Sequence, residues 1–156
     1  MENEFLKNFY FGAATSAHQV EGHNENDWSE WEKKNAVRLA KKSENEFRHL
    51  SNWLHIREEA RDPMNYISGA GADHWQRYEE DFDLAKTIGL NAYRFSIEWS
   101  RVEPSPGYFD EEAIEHYRQM ATAIRSRGME PFATLWHFTL PLWLSESNAE
   151  KGGIFN

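Results

Sequence analysis

Two side chains in this sequence, an amide and an imidazole, lie at or just beyond the ends of short segments that are predicted to be strands. Gln19 follows FYFGAATSA (9–17) by two positions, and His137 ends MEPFATLWH (129–137). Both side chains can donate and accept hydrogen bonds, and neither adds charge while the imidazole is neutral. That chemistry suits a ligand rich in hydroxyl groups. The competing interpretation of His137 is a half-buried ring bonded to a backbone carbonyl.

A third candidate lies in NAYRFSIEW (91–99), where apolar and polar residues alternate with a period of two. Such alternation puts Arg94, Ser96 and Glu98 on one face of a strand and the apolar residues on the other. Strands of a parallel sheet covered on both faces are usually apolar on both. The polar face therefore lines the lumen of a barrel or belongs to an edge strand with a solvated face, and the pattern leaves both open.

The elements that position these residues alternate along the chain. The pattern predicts a strand at 9–17, a loop at 18–27, helical segments at 28–60, a helix between Asp73 and Gly89, a strand at 91–99, a helix between Asp110 and Gly128, and a strand at 129–137. Asp73, with Gln76 three residues later, predicts a capping box. Alternating strands and helices indicate parallel strands joined by crossover helices. The chemistry of such folds lies at the carboxyl ends of the strands.

The overall composition excludes several classes of function. The net charge of −9, from 17 basic and 26 acidic residues, disfavours a nucleic-acid or anionic-membrane partner. The chain has no cysteine, and His18 and His23 lack a third ligand at useful spacing, so we expect neither a metal nor a cofactor. The N-terminal residues resemble no signal peptide, and no apolar stretch approaches the roughly 18 residues of a membrane span. A cytoplasmic protein is therefore expected.

Three blocks of the sequence closely resemble the N-terminal third of family 1 glycoside hydrolases, the β-glucosidase, β-galactosidase and 6-phospho-β-glycosidase group. They are FYFGAATSAHQVEG, the DHWQRYEEDFDLAKTIGLNAYRFSIEWSRVEP block and EPFATLWHFTLPLWL, in that order. The resemblance implies a (β/α)8 TIM barrel, of which the chain holds the first three strands and their helices. Residues 1–156 would then be part of one domain, with no second domain. It also implies cleavage of terminal β-glycosidic bonds with retention, so that the partner is a β-linked saccharide or glycoside and no cofactor is needed.

The resemblance also assigns roles to individual residues. Gln19 and His137 match the family positions that bind hydroxyls of the non-reducing sugar, and Phe138 matches an aromatic residue that lines the sugar pocket. Arg94 matches an arginine beside the catalytic nucleophile, where a cation would keep that carboxylate ionised. Glu98 matches neither catalytic carboxylate, and we expect a structural role for it.

Both catalytic carboxylates are expected beyond Asn156. The family carries them in Asn-Glu-Pro and Glu-Asn-Gly tripeptides, and neither tripeptide occurs in this chain. Retaining hydrolysis needs both groups, about 5–5.5 Å apart. We therefore predict that the 156-residue chain is inactive alone, and that its open strand edges and apolar faces promote association.

Three hypotheses follow. The first is the N-terminal part of a β-glycosidase, and the second is a non-catalytic carbohydrate-binding or partner subunit made from a partial barrel. The third is an unrelated α/β enzyme that uses Glu98 and His137 directly, in which Glu98→Gln would abolish activity without unfolding the chain. The preferred sugar, its phosphorylation and the oligomeric state stay open.

Overall fold

The computed structural model describes residues 9–149, with side chains described up to Ser145. Three strands, β1 (Gly12–Ala14), β2 (Ala92–Ser96) and β3 (Glu130–Thr134), form a parallel sheet in the order β1-β2-β3. The register pairs Arg94 of β2 with Ala14 on one side and Phe132 on the other. The predicted parallel arrangement is therefore confirmed. The predictions that concern residues 1–8 and 150–156 lie outside the described residues.

The helices of the described chain fall between and after the strands. They are α1 (Ala17–Val20), α2 (Asp27–Phe47), α3 (Trp53–Arg61), α4 (His74–Thr87), α5 (Trp99–Val102), α6 (Glu111–Ser126) and α7 (Leu142–Ala149), with a short 3₁₀ turn at Pro63–Tyr66. The helical segments predicted at 28–60 are confirmed as α2 and α3. No helix among residues 9–149 combines the length and apolar character that crossing a membrane requires.

The strands are shorter than the sequence predicts. Residues expected at the strand ends therefore lie in a helix or a loop instead. Pairing stops where the backbone N–H of Ile97 donates to the carbonyl of Thr134 at 2.9 Å, so the chain turns into α5 at Trp99 instead of continuing the strand. His137 consequently lies three residues beyond β3, in a loop. The predicted loop at 18–27 begins inside helix α1, which extends to Val20.

The residues that end and cap the helices agree with the sequence at some positions and differ from it at others. Asp110, which marks the predicted start of the second helix, caps α6: its side chain accepts from two backbone N–H groups. Gly89 ends α4 with φ +86°. The capping box at Asp73 is wrong: this residue adopts a left-handed conformation (φ 55°) and its side chain accepts no capping bond. An N-cap normally has extended backbone, which aims its side chain at the first N–H groups. The structure places a capping box at Asn26 and Ser29 instead.

The core lies between the sheet and the pair of helices α4 and α6. Its members are aromatic or long apolar side chains, and the fully buried ones include Phe82, Met120 and Ile124. Tyr93 and Phe95 of β2 face this core, as the alternation predicts, so Arg94 between them must face the other side of the sheet. Packing of one face of the sheet against α4 and α6 therefore fixes the direction in which the polar face points.

Candidate functional site

Arg94 joins the three strands at their carboxyl ends. Its Nε donates to the hydroxyl of Thr134, the last residue of β3, at 2.6 Å. Its Nη1 donates to the carbonyl of Thr15, just after β1, at 3.3 Å. One half-buried guanidinium thus holds the polar face of the sheet together and is itself fixed in direction.

Gln19 lies on the single turn of α1, directly after β1. This turn is held against β2, because the backbone N–H of Ala17 donates to the buried hydroxyl of Ser96 at 2.7 Å. The Gln19 side chain is exposed and makes no hydrogen bond to the described residues. Its amide is therefore available to a ligand at this edge of the sheet.

His137 and Phe138 lie next to each other in the loop after β3, with ring centroids 5.2 Å apart. His137 is half-buried, its Nδ1 is hidden from solvent, and neither ring nitrogen bonds to a described residue. The interpretation of His137 as a ring bonded to a backbone carbonyl thus finds no support. Phe138 is 78% exposed and offers an apolar face beside the imidazole.

The imidazole of His18 is held by contacts with other side chains. Its Nε2 lies 3.1 Å from Glu32 Oε1, and its Nδ1 lies 3.2 Å from the side-chain amide of Asn26. Burial raises the pKa of Glu32, but hydrogen bonds from Ser68 and His18 outweigh burial and bring the pKa below its ordinary value. Within residues 9–149, no three His, Asp or Glu side chains are grouped as a metal ion would require.

Glu21, two residues after Gln19, is a buried carboxyl group with an unusual proton affinity. It is 1% exposed and accepts hydrogen bonds from the Tyr117 hydroxyl at 2.9 Å and from Arg101 Nε at 3.0 Å. Burial raises the pKa of Glu21 to about 7, although Arg101 and Tyr117 lower it and nearby Glu98 raises it further. Its bonds to Tyr117 and Arg101 anchor the segment that begins with Gln19.

Glu98 is fully buried at the corner between β2 and α5. Its carboxylate accepts hydrogen bonds from the hydroxyls of Ser100 at 3.0 Å and Thr139 at 3.1 Å. A carboxylate enclosed in this way cannot reach a substrate at the edge of the sheet. The geometry therefore opposes the hypothesis that Glu98 and His137 act together as catalytic residues.

Comparison with known proteins identifies the family. A model of glycosyl hydrolase family 1 matches residues 1–155. The chain belongs to glycosyl hydrolase family 1. It is 36% identical to coniferin β-glucosidase of Pinus contorta over 93% of this chain and 25% of that protein, and 34% identical to β-glucosidase 42 of Arabidopsis thaliana over 93% and 26%.

Solved family 1 structures share the fold of the described elements. The β-glycosidase from Pyrococcus horikoshii is 38% identical, with a TM-score of 0.67 over 93% of this chain and 27% of its own. The β-glucosidase from Exiguobacterium antarcticum B7 is 30% identical, with a TM-score of 0.70 over 96% and 29%. The chain thus spans about a quarter of the length of these family members. Its three parallel strands and their helices form part of the family's TIM barrel, as the resemblance implied.

Sequence reasoning missed several residues that hold the site of this family 1 chain together. Glu21 gave no signal, because a buried glutamate looks like a surface one until its partners are known. Thr15 and Thr134 are ordinary strand-end residues, and only the path of the Arg94 side chain reveals their part. Ser96 did carry a signal, since it shares the polar face of β2 with Arg94.

Proposed function

We propose that this chain forms the N-terminal part of a β-glucosidase-like enzyme that hydrolyses terminal β-glycosidic bonds with retention. Membership of glycosyl hydrolase family 1 and the β-glucosidases among its relatives support this proposal. One observation links the proposed function to individual residues. Gln19 and His137 both follow strands of a parallel sheet, and neither side chain has a hydrogen-bond partner in the described chain.

These two side chains bind the hydroxyl groups of the non-reducing sugar. An amide and a neutral imidazole each donate and accept, so together they can satisfy vicinal hydroxyls without introducing charge. Polar groups in proteins are normally paired once water is excluded, so a closed site over Gln19 and His137 favours a ligand that completes their bonds. Phe138 packs against the apolar C–H face of the sugar ring beside His137.

Arg94 serves the catalytic step indirectly. Retaining hydrolysis uses a nucleophilic carboxylate and an acid/base carboxylate about 5–5.5 Å apart. A cation beside the nucleophile keeps it ionised, and the bonds of Arg94 to Thr134 and Thr15 fix where that cation stands. Both carboxylates come from outside this chain, so the chain alone does not hydrolyse glycosides.

A titration of the 156-residue chain with methyl β-D-glucoside tests the sugar contacts. Two-dimensional NMR should show saturable shifts of the His137 imidazole and the Gln19 amide. Gln19→Ala and His137→Ala should each weaken the affinity by roughly fivefold, the value of one lost hydrogen bond. An aryl β-glucoside incubated with the same chain should give no product.

Matched controls come from exposed residues of the same types. Gln119→Ala on α6 and His55→Ala on α3 should leave the affinity unchanged, because both positions are exposed and outside the site. An affinity that is unchanged in His137→Ala, or equal losses in Gln119→Ala and Gln19→Ala, would contradict the assignment of the sugar contacts. Turnover of the aryl glucoside by the chain alone would contradict the origin of the carboxylates.

A further inference from the structure

The loop that carries His137 and Phe138 is held in a strained conformation. Phe138 has φ 75°, in the left-handed region that non-glycine residues rarely adopt, and its ring is 78% exposed. An exposed ring contributes little packing to hold its backbone in place. Strain of this kind persists only where the surroundings fix it, so the anchors of this loop decide the position of both side chains.

The backbone on the far side of the loop is tied to the start of α2. The N–H of Leu140 donates to the carboxylate of Asp27 at 2.9 Å, and the N–H of Asp27 donates to the carbonyl of Leu140 at 3.0 Å. The next residue, Pro141, forms an isolated bridge with Asn26. These contacts hold residues 140 and 141. They do not hold Phe138 itself, which needs an anchor closer in the chain.

That nearer anchor is Thr139, whose hydroxyl donates to Glu98. The distances to the two carboxylate oxygens are 3.1 and 3.3 Å. Glu98 is 0% exposed, so its oxygens cannot turn to water if Thr139 is removed. A buried carboxylate left short of donors is costly, and this makes the contact hard to break.

Helix capping alone does not account for Glu98. Its side chain also accepts from the backbone N–H of Ser100, but at 3.5 Å, the long limit of a hydrogen bond. The helix it would cap, α5, has four residues. The shorter contacts run to the hydroxyls of Ser100 and Thr139, so the carboxylate joins the corner after β2 to the loop after β3.

The same corner is connected to the Gln19 segment. The backbone N–H of Glu98 donates to the Tyr117 hydroxyl at 2.9 Å, and that hydroxyl donates to Glu21 at 2.9 Å. Glu21 lies two residues after Gln19. A buried chain of hydrogen bonds therefore runs from the segment of Gln19 to the loop of His137.

We propose that Glu98 is a positioning residue of the sugar site: through Thr139 it holds the strained loop that aims His137 and Phe138 at the ligand. This inference rests on the proposed function for the identity of the ligand. The position of the loop itself does not depend on that function. The two parts can therefore fail separately.

The test compares Thr139→Val, which removes the hydroxyl and keeps the shape, with Thr139→Ser, which keeps the hydroxyl. Amide hydrogen exchange of Leu140, whose N–H donates to Asp27, should accelerate about fivefold in the Thr139→Val variant of the full chain, as expected for one lost hydrogen bond. Thr139→Ser should restore the exchange to that of the unaltered protein. Thr122→Val is the matched control, because Thr122 is exposed and its hydroxyl bonds only to the carbonyl of Arg118, one turn earlier in α6.

The affinity for methyl β-D-glucoside supplies the second readout. Thr139→Val should weaken it by about the same factor, and Thr139→Ser should recover it. Unchanged exchange at Leu140 in Thr139→Val would overturn the proposal. So would accelerated exchange at core residues Tyr93 and Phe95, which would make Thr139 a general stability residue. If the unaltered chain binds no glucoside, the proposed function fails while exchange still decides the role of Thr139.

Discussion

Replacing Glu21 with glutamine is expected to remove a pH dependence of stability that this single carboxyl group creates. Burial raises the pKa of Glu21 from 4.5 to about 7 in the folded chain. Below pH 4.5 the group is protonated in both folded and unfolded states. As the pH rises through the interval up to about 7, the unfolded chain releases the proton and the folded chain retains it. The folded state therefore loses stability across this interval.

The magnitude follows from the two pKa values. At 1.36 kcal/mol per pH unit, the interval between 4.5 and about 7 corresponds to a loss of about 3 kcal/mol in the free energy of unfolding. Glutamine keeps the shape and an oxygen that accepts from Tyr117, but it does not titrate. Urea unfolding of both proteins at several pH values between 4 and 8 measures the difference between them, which cancels the other carboxyl groups.

The competing force is the ion pair of Glu21 with Arg101, at 3.0 Å. If that attraction exceeded the cost of burial, the pKa would lie below 4.5 and the wild-type protein would gain stability relative to Glu21→Gln as the pH rises. A flat difference, or a gain of this kind, refutes the reasoning that burial dominates at this site.

Three further predictions concern packing, capping and association. Phe82→Ala should lower the free energy of unfolding by about 3–5 kcal/mol, whereas Phe138→Ala should cost less than about 1 kcal/mol, because Phe82 is 0% and Phe138 is 78% exposed; similar losses in urea unfolding would contradict the core assignment. Asn26→Ala should cost about 1–2 kcal/mol, because the buried Asn26 side chain makes a capping bond to Ser29 and a second bond to His18, whereas Asp73→Ala should cost less, because Asp73 makes no capping bond; a larger loss in Asp73→Ala would contradict this assignment. Leu84→Lys should reduce self-association in light scattering, because Leu84 is 65% exposed on α4; unchanged association would place the contact elsewhere.

The period of the sequence pattern predicted the sheet and its polar face. Alternation in 91–99 placed Tyr93 and Phe95 in the core and Arg94 on the opposite face, because the side-chain period of a strand is two and one face must be buried. The pattern similarly predicted the helices between Asp73 and Gly89 and between Asp110 and Gly128, which are α4 and α6. These features depend on local geometry that a sequence carries directly.

The features that failed depend on contacts between distant segments. The cap at Asp73 was wrong because the turn before α4 is set by the preceding segment, including the bond from the N–H of Ala72 to the carbonyl of Val20. β2 ended early because the chain after it turns into α5 at Trp99. The hydrogen bond between Thr139 and Glu98 joins positions 41 residues apart, and no local sequence pattern predicts such a contact.

The most direct measurement on the central claim is the activity of a chimera. Residues 1–156 would replace the matching part of the β-glycosidase from Pyrococcus horikoshii, which is 38% identical and leaves about three quarters of that chain in place. This chimera should hydrolyse an aryl β-glucoside, and His137→Ala should lower its kcat/KM at least fivefold, as loss of a sugar contact requires. A folded chimera that does not hydrolyse the glucoside, or whose kcat/KM is unchanged by His137→Ala, would contradict the proposed function.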